Sequence, residues 1–251
     1  MKPRPANREP FYHSIYVRWD EVENHDAFPY SVPAIKNLKN LELHPAVTFL
    51  IGENGSGKST LLEAIAVRLD FDETGGDANR SFSQRPVDGG LHDAIQILSS
   101  NYRRPGDRFF MRAETVFNYA SYIDREAIDD RVFIARYGGR SLHARSHGEA
   151  FLAIVQNRMK AESFFLLDEP EAALSPSRQM TVLREIDWLV RSGCQFVIAT
   201  HSPILLAYPD ARIYELSDDG FHDVEYTETE HYKLTRSFLE RPEAFLRHLI
   251  E

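Results

Sequence analysis

The sequence predicts an α/β fold in which a mainly parallel β-sheet is flanked by helices. Short runs rich in β-forming residues alternate along the chain with longer helical patterns, which is typical of parallel sheets joined by helical crossovers. Two of the short runs, Val47–Ile51 and Phe164–Leu167, are apolar without alternation. Strands of this kind are covered on both faces, so we expect these two at the centre of the sheet.

The remaining elements follow from the same patterns. Strands are predicted, in chain order, at Phe11–Val17, Val47–Ile51, Phe109–Ala113, Ser163–Leu167 and Gln195–Ala199. Helices are predicted at Lys58–Leu69, Leu91–Ser99, Gly148–Lys160, Ser177–Arg191, Tyr232–Leu239 and Pro242–Ile250. Pro176 stands where the first turn of a helix tolerates proline, because that position needs no N–H donor.

The chain length predicts one large α/β domain. Its 251 residues would suffice for two small domains, but no linker is polar enough to separate independently folding units. Residues 70–108 are rich in Gly, Asp, Ser, Arg and Pro, which indicates loops around one helix. We therefore expect a single domain over 1–251, with a helical subdomain inserted at about 86–160.

The bulk composition favours a cytosolic globular protein. The formal net charge of −9 argues against a surface dominated by phosphate contacts. No apolar run approaches the roughly 20 residues that a membrane-spanning helix needs, and the first residues lack the apolar stretch of a signal peptide. The single cysteine, Cys194, cannot form an internal disulfide and is expected to pack in the core. We expect a cytoplasmic location without direct membrane insertion.

A glycine-rich segment follows the first central strand and matches the pattern G-x-x-x-x-G-K-[ST]. It consists of Gly52, Glu53, Asn54, Gly55, Ser56, Gly57, Lys58, Ser59 and Thr60. Glycines let the backbone curl so that successive N–H groups face phosphate oxygens, and the helix N-terminus adds its partial positive charge. Lys58 would reach the β- and γ-phosphates, and the Ser59 hydroxyl would bind Mg²⁺. The strand–loop–helix context predicts an ATP site.

Two adjacent acids end the second central strand. Neighbouring residues on a strand point to opposite sides, so Asp168 and Glu169 can have different roles. Asp168 would hold Mg²⁺, directly or through water, and Glu169 would deprotonate the water that attacks the γ-phosphate. The competing interpretation is that these acids only begin a surface loop, with Glu169 or Glu171 near the next helix N-terminus. The upstream phosphate loop favours the catalytic interpretation.

The segment from Asp168 to Pro176 resembles the second acidic motif and D-loop of the ABC-class ATPases, and the resemblance covers about residues 12–209. It is similar in particular to the compact branch related to the chromosome-maintenance and overcoming-lysogenization ATPases, and to small bacterial predicted ATPases. The resemblance implies a P-loop NTPase fold of ABC type, with an N-terminal antiparallel β part and a helical insertion.

The resemblance also assigns residues outside the phosphate loop. His201, within Ala199–Pro203, corresponds to the switch histidine that contacts the γ-phosphate; otherwise it would be structural or simply exposed. Ser146 and Gly148 stand where the signature motif belongs and would serve a γ-phosphate bound to a second subunit. Arg145, His147 and Glu149 depart from the usual Leu-Ser-Gly-Gly-Gln pattern. An ordinary helix cap by Ser146 is the alternative.

Two further assignments stay open at this point. The family's Q-loop residue, which senses Mg²⁺ and the attacking water, corresponds to Glu114 at the end of a strand or to Gln84. The aromatic ring that stacks on adenine would be Tyr30 or Phe28.

Three other patterns have plainer interpretations. His143 and His147 have the spacing of metal ligands on a helix but no apparent third ligand. Asp218-Asp219-Gly220 reads as a hairpin turn rather than a nuclease metal site. The basic cluster from Arg103 to Arg112 could contact nucleic acid, although a solvated charged loop is the more frequent outcome.

The expected mechanism is a head-to-tail homodimer that encloses two ATP molecules. ATP would favour the closed dimer and hydrolysis would release it. We expect a mechanochemical ATPase linked to nucleic acid or cell defence, with a protein effector as a candidate partner. The alternatives are the nucleotide-binding subunit of a membrane transporter and, less favoured because Glu169 is present, a regulatory switch with negligible turnover.

Overall fold

The computed structural model describes residues 8–71, 76–77, 90–126, 134 and 137–250. The strands are β1 (Tyr12–Val17), β2 (Leu41–Glu42), β3 (Val47–Gly52), β4 (Gly76–Asp77), β5 (Ile95–Ser99), β6 (Asp107–Arg112), β7 (Ser163–Asp168), β8 (Gln195–Ala199), β9 (Arg212–Ser217) and β10 (Gly220–Asp223). The helices are α1 (Pro33–Lys36), α2 (Lys58–Arg68), α3 (Leu91–Ala94), α4 (Val116–Glu126), α5 (His147–Arg158), α6 (Pro176–Arg191), α7 (Pro203–Leu206), α8 (Glu230–Glu240) and α9 (Pro242–Ile250).

The main sheet confirms the predicted α/β class. Its strand order is β10-β9-β3-β8-β7-β6-β4. The five inner strands, from β9 to β6, are parallel, and antiparallel strands pair at both edges. A separate antiparallel sheet has the order β2-β1-β5, which confirms the N-terminal antiparallel part.

Both faces of the central strands are buried, which explains their uninterrupted apolar sequences. In β7, Phe165 and Leu167 pack into one hydrophobic cluster, which includes residues of α4, α5 and α6. Phe164 and Leu166, on the opposite face, pack into a second cluster with α2 and the antiparallel sheet. This alternation is the two-residue period of a strand covered on both sides.

The prediction of one helix over Leu91–Ser99 is wrong in its second half. The helix α3 ends at Ala94, and Ile95–Ser99 forms strand β5, which pairs antiparallel with β1 in the register Ile15↔Ile97. A short apolar run does not distinguish helix from strand by periodicity alone. Pairing with β1, which is distant in the sequence, makes Ile95–Ser99 a strand rather than a helix.

The interval 86–160 is therefore not wholly helical. It contributes β5 to the antiparallel sheet and β6 to the main sheet, and its longer described helices are α4 and α5. Asp218 and Asp219 form the two-residue turn of the β9–β10 hairpin, as predicted. Cys194 is 2% exposed within the core.

The chain closes with two amphipathic helices, α8 and α9, neither of which contains a buried residue. Helix α8 begins beside the loop that follows β8. Among the described residues, no helix is long and apolar enough to cross a membrane.

Candidate nucleotide site

Three neighbouring parallel strands bring the predicted site together. Strands β3, β8 and β7 are adjacent, so their carboxyl ends lie at one edge of the sheet, where ligands of open α/β sheets bind. The backbone N–H of Thr200 donates to the Leu50 carbonyl at 3.1 Å, and that of Glu169 donates to the Ala199 carbonyl at 2.9 Å. These bonds fix the loops after all three strands relative to one another.

The loop after β3 has the backbone of a phosphate cradle. Gly52 has φ of 144° and Gly57 has φ of 98°, values that side-chain-bearing residues rarely adopt. A Cβ atom at Gly52 would lie 2.5 Å from the Leu216 carbonyl oxygen. The buried Ser56 hydroxyl has no hydrogen-bond partner among the described residues. A curled, close-packed loop with an unpaired polar atom fits an anionic ligand.

Lys58 is the buried cation of this loop, with 4% exposure. Its Nζ donates to the carbonyl oxygens of Gly52 at 2.8 Å and Glu53 at 2.9 Å. Burial lowers the pKa of Lys58, whereas the carboxylates of Glu169 and Asp168 act to raise it. The ammonium is thus desolvated and held at the cradle, where it can neutralise phosphate charge.

A cavity of about 910 Å³ opens beside the cradle. It is lined by the phosphate loop, the start of α1, His201, the end of β9 with its turn, and α8. Its volume is in the range of nucleotide-sized ligand pockets. Glu53, Asn54, Gly55 and Ser56 all contribute to its wall.

Asp168 and Ser59 form a pair of hard oxygen ligands. The Ser59 hydroxyl donates to Asp168 Oδ1 at 3.1 Å, and Arg112 Nε lies 3.2 Å from Asp168 Oδ2. Burial raises the pKa of Asp168 to about 6, although Arg112 and Ser59 act to lower it. Hydroxyl and carboxylate oxygens suit Mg²⁺, so these two residues fit the predicted ion.

Glu169 turns out of the sheet immediately after Asp168. Its φ of 47° and ψ of 51° are left-handed, which is uncommon for a residue other than glycine, asparagine or aspartate. The side chain is 41% exposed, and its Oε1 lies 3.6 Å from His201 Nε2. Backbone strain of this kind often persists at functional sites, and here it directs the carboxylate toward His201.

Glu171 holds the His201 loop. Its carboxylate accepts hydrogen bonds from the His201 backbone N–H at 2.5 Å and from the Thr200 hydroxyl at 2.7 Å. Burial raises the pKa of Glu171, and these two donors oppose the rise. Glu171 therefore has a structural role that the sequence did not reveal.

Ser146 and Gly148 lie at the N-terminus of α5, outside the cavity wall. Ser146 is the N-cap, and its N–H donates to Glu149 at 2.9 Å, as in a capping box. Arg178 donates to Ser146 Oγ and to Glu149 Oε1, both at 3.2 Å. The helix-cap alternative is thus present in the structure, and a cap remains compatible with a role toward another subunit.

The described candidates for the Q-loop and the adenine-stacking residue do not line the cavity, although the turn that contains Glu114 contacts the turn Pro170–Ala173 after Glu169. Glu114 is exposed in a 3₁₀ turn after β6, and Gln84 is outside the described residues. The Tyr30 hydroxyl donates to the Gly90 carbonyl at 3.1 Å, and Phe28 is 55% exposed. Neither aromatic side chain lines the cavity.

Two residues that the sequence analysis missed also belong to this edge. Arg112 ends β6 in register with Asp168 and contacts both Asp168 and Glu63. His231, at the start of α8, contacts His201. Neither follows a local motif, since both reach the site only through tertiary packing.

Two arginines of the basic cluster, Arg103 and Arg112, are paired within the chain. Arg103 lies 2.6 Å from the Glu162 carboxylate and stacks on Phe11, and Arg112 faces the nucleotide edge.

His143, one of the two histidines with metal-ligand spacing, forms a hydrogen bond between its Nε2 and the Ser121 hydroxyl at 2.9 Å.

Two protein-family models match parts of the chain. Residues 28–129 match a family described as "AAA domain", and residues 150–207 match one described as "AAA domain, putative AbiEii toxin, Type IV TA system". Together these segments contain the phosphate loop, Asp168, Glu169 and His201.

Curated relatives are ATP-binding proteins. The chain is 25% identical over 205 residues to "Energy-coupling factor transporter ATP-binding protein EcfA1" of Methanospirillum hungatei, covering 76% of this chain and 73% of the relative. It is 29% identical over 178 residues to "Hemin import ATP-binding protein HmuV" of Streptomyces coelicolor, covering 64% and 61%. Against "Ribose import ATP-binding protein RbsA" of Clostridium perfringens, at 24% identity, the match covers 68% of this chain and only 38% of that protein.

A solved structure shares the fold. The structure titled "An inward-facing conformation of a putative metal-chelate type ABC transporter" matches with a TM-score of 0.50 and 19% identity, covering 91% of this chain and 89% of that one. The chain therefore has the ABC-type P-loop fold, and in sequence it is similar to ATP-binding proteins.

Proposed function

We propose that this protein binds Mg-ATP at the carboxyl edge of its sheet and hydrolyses it with Glu169 as the general base. The observation that carries the proposal is the convergence of Lys58, Asp168, Glu169 and His201 around one cradle from separate loops. A surface loop that happened to contain acids would not bring a buried lysine and a buried aspartate to the same edge.

Phosphate binding rests on the loop from Gly52 to Thr60. Its N–H groups and the start of α2 supply fixed positive ends of dipoles, and Lys58 exchanges its carbonyl partners for phosphate oxygens. Ser59 and Asp168 would hold Mg²⁺, which supplies charge neutralisation at the phosphates. Arg112 favours the ionised form of Asp168, since a nearby guanidinium lowers the pKa of an acid, and so opposes the burial that raises this pKa to about 6.

Hydrolysis needs one proton acceptor. Glu169 takes a proton from a water molecule while the water oxygen bonds to the γ-phosphorus and the bond to the β,γ-bridging oxygen breaks. The products are ADP and inorganic phosphate. The exposed position of the Glu169 carboxylate leaves room for that water, and the backbone bond to Ala199 fixes where the residue turns.

The complete site would require two subunits. Ser146 and Gly148 do not line the cavity of their own chain. Ser146 is exposed, whereas Gly148 is buried against Ala173 and Arg178, so the exposed N-cap end of α5 is the part that would present N–H dipoles to a phosphate of another subunit. In a head-to-tail homodimer, each cavity would receive this helix end from the other subunit. ATP then stabilises the closed dimer through contacts that neither subunit makes alone.

Two settings for this cycle are supported by different observations. A mechanochemical ATPase with an effector partner, in cell defence or nucleic-acid processing, is supported by the family that matches residues 150–207 and whose description names a toxin system. Pairing of Arg103 and Arg112 within the chain weakens direct nucleic-acid binding. A transporter subunit is supported by the names of the curated relatives. The Glu169→Gln variant should bind ATP without hydrolysing it. Identification of the protein that this variant captures in cells would distinguish a multi-span membrane partner from a water-soluble effector.

The hydrolysis proposal is tested by steady-state release of phosphate from Mg-ATP. Glu169→Gln should lower kcat by about 10²- to 10³-fold, the range for loss of a general base, without weakening ATP binding. Glu243→Gln, on exposed α9, is the matched control and should retain full activity. Full activity of Glu169→Gln would reject Glu169 as the base.

A further inference from the structure

Helix α8, the first of the two closing helices, forms one wall of the candidate nucleotide cavity. Glu230, His231, Leu234 and Thr235 line it together with residues of the phosphate loop. The helix starts at a fixed place, because Thr229 is fully buried and its hydroxyl accepts the Tyr232 backbone N–H at 3.2 Å. A side chain in its first turn is therefore positioned with respect to the cavity.

A pair of histidines joins this helix to the loop after β8, which contains His201 and is called the switch loop below. His201 Nδ1 and His231 Nε2 are 3.1 Å apart, and the ring centroids are 5.3 Å apart. The other nitrogen of each ring, His201 Nε2 and His231 Nδ1, is buried and has no hydrogen-bond partner among the described residues. A single proton therefore lies between the two rings. Whether it is bonded to His201 Nδ1 or to His231 Nε2 decides whether His201 Nε2 faces the cavity as a hydrogen-bond acceptor or as a donor.

The surroundings favour one of the two arrangements. His201 Nε2 faces the Glu169 carboxylate at 3.6 Å. If His201 Nδ1 carried the proton, its Nε2 lone pair would face that carboxylate and any phosphate oxygen in the cavity, which is repulsive. If His231 Nε2 donates instead, His201 carries its proton on Nε2 and offers a donor to both.

Both rings are held neutral, as this arrangement requires. Burial lowers the pKa of each histidine. Lys58 adds to this effect on both, while Glu169 opposes it at His201 and Glu215 and Glu230 oppose it at His231. A neutral pair with one shared proton keeps a defined tautomer.

A second contact ties the same segment to the switch loop. The Tyr226 hydroxyl, just before α8, donates to the Pro203 carbonyl at 2.9 Å. Pro203 is two residues after His201, so the C-terminal segment contacts the loop on both sides of Ser202. The position of α8 and the position of His201 are therefore coupled.

We propose that His231 is a positioning residue that donates its Nε2–H to His201 Nδ1 and so holds His201 in the tautomer that presents Nε2–H to the γ-phosphate. This inference rests on the proposed function for the role of His201, whereas the tautomer itself does not depend on hydrolysis. Helix α8 thereby becomes part of the hydrolytic site.

The test combines nitrogen NMR with kinetics on the full-length chain. His231→Leu removes the donor at similar volume, whereas His231→Gln places an amide N–H near the position of Nε2 and should restore it. His222→Gln, on the exposed β10, is the control. Long-range ¹H–¹⁵N spectra of the imidazoles at about pH 8, where histidines are neutral, report the protonated nitrogen, and the His201→Gln variant identifies the His201 signals.

We expect protonated Nε2 for His201 in the wild type, in His222→Gln and in His231→Gln, with a shift toward protonated Nδ1 in His231→Leu. With Mg-ATP, kcat of His231→Leu should fall about 10-fold with little change in KM, because the lost interaction is made mainly in the transition state. Protonated Nδ1 in the wild type, or an unchanged His201 tautomer in His231→Leu, would overturn the proposal.

The two proposals fail separately. A protein that shows the expected tautomers but does not hydrolyse ATP refutes the proposed function and leaves the His231 contact supported. A protein that hydrolyses ATP equally well with leucine or glutamine at position 231 refutes the positioning role alone.

Discussion

The two halves of the proposed composite site differ in how their polar groups are satisfied. At the phosphate-loop edge, Lys58 and Asp168 are almost fully buried and the Ser56 hydroxyl has no partner among the described residues. At the N-terminus of α5, Glu149 and its partner Arg178 are partly exposed at 53% and 35% and bond to each other. The first region holds desolvated charge that a ligand can stabilise, whereas the second gains contacts only when another molecule approaches.

This difference implies that each region can be inactivated in a separate variant, and that the two variants can then be mixed to restore an intact site. We expect Lys58→Ala and Ser146→Arg each to lower ATP hydrolysis by about 100-fold, because one loses charge-assisted phosphate bonds and the other blocks the opposite subunit. Mixed in equal amounts, the two variants form dimers with one intact site, and about a quarter of wild-type activity should return if association is random.

Phosphate release measured against the mixing ratio checks this result. The control is Lys58→Ala mixed with Lys58→Ala,Ser146→Arg, which contains no intact site in any pairing. Recovery in the control, or none in the test mixture, would show that the two residues do not act across an interface.

The same difference predicts unequal costs for two arginines. Arg112→Ala removes the guanidinium from Asp168 and Glu63, whose side chains are only 4% exposed, and should cost about 3 kcal/mol of unfolding free energy. Arg178→Ala breaks a partly exposed pair and should cost less than about 1 kcal/mol. Urea unfolding of the nucleotide-free protein measures both. Equal losses of unfolding free energy in the two variants would mean that the two arginines are equally exposed to solvent.

The buried Asp168 also predicts a pH dependence of stability. Its pKa is raised to about 6 in the folded protein, above the value of about 3.9 in an unfolded chain. Folding therefore favours protonation of Asp168. The resulting contribution to the free energy of unfolding is complete below about pH 4 and is lost as the pH rises through about 6. The shift corresponds to about 3 kcal/mol over that window at 1.36 kcal/mol per pKa unit.

Melting curves without Mg²⁺ and nucleotide check this prediction. Between about pH 5 and 8 the wild type should lose about 1 kcal/mol more than Asp168→Asn, since part of the change lies below that range. The matched control, Asp219→Asn in the exposed hairpin turn, should follow the wild type. Parallel curves for the wild type and Asp168→Asn would contradict the assignment of a strongly buried acid.

The sequence predicted the elements whose determinants are local. The phosphate loop and the β7 acids follow strands whose apolar runs can be recognised in the sequence alone. The main sheet has the predicted, mainly parallel arrangement. Strand β5 was missed because its partner, β1, is about 80 residues away in the chain. Arg112 and His231 were missed because strand order and the docking of α8 bring them to the site, and neither leaves a local signal.

We propose that ATP joins two copies of this chain through the N-terminus of α5 in each. The most direct measurement is the solution mass of Glu169→Gln by light scattering, with and without Mg-ATP, because this variant should bind ATP without turnover. We predict a monomer without nucleotide, a dimer with Mg-ATP, and a monomer again when Ser146→Arg is added. A mass that stays monomeric while ATP binds, or a dimer that persists with Ser146→Arg, would show that ATP does not join two copies through this helix end.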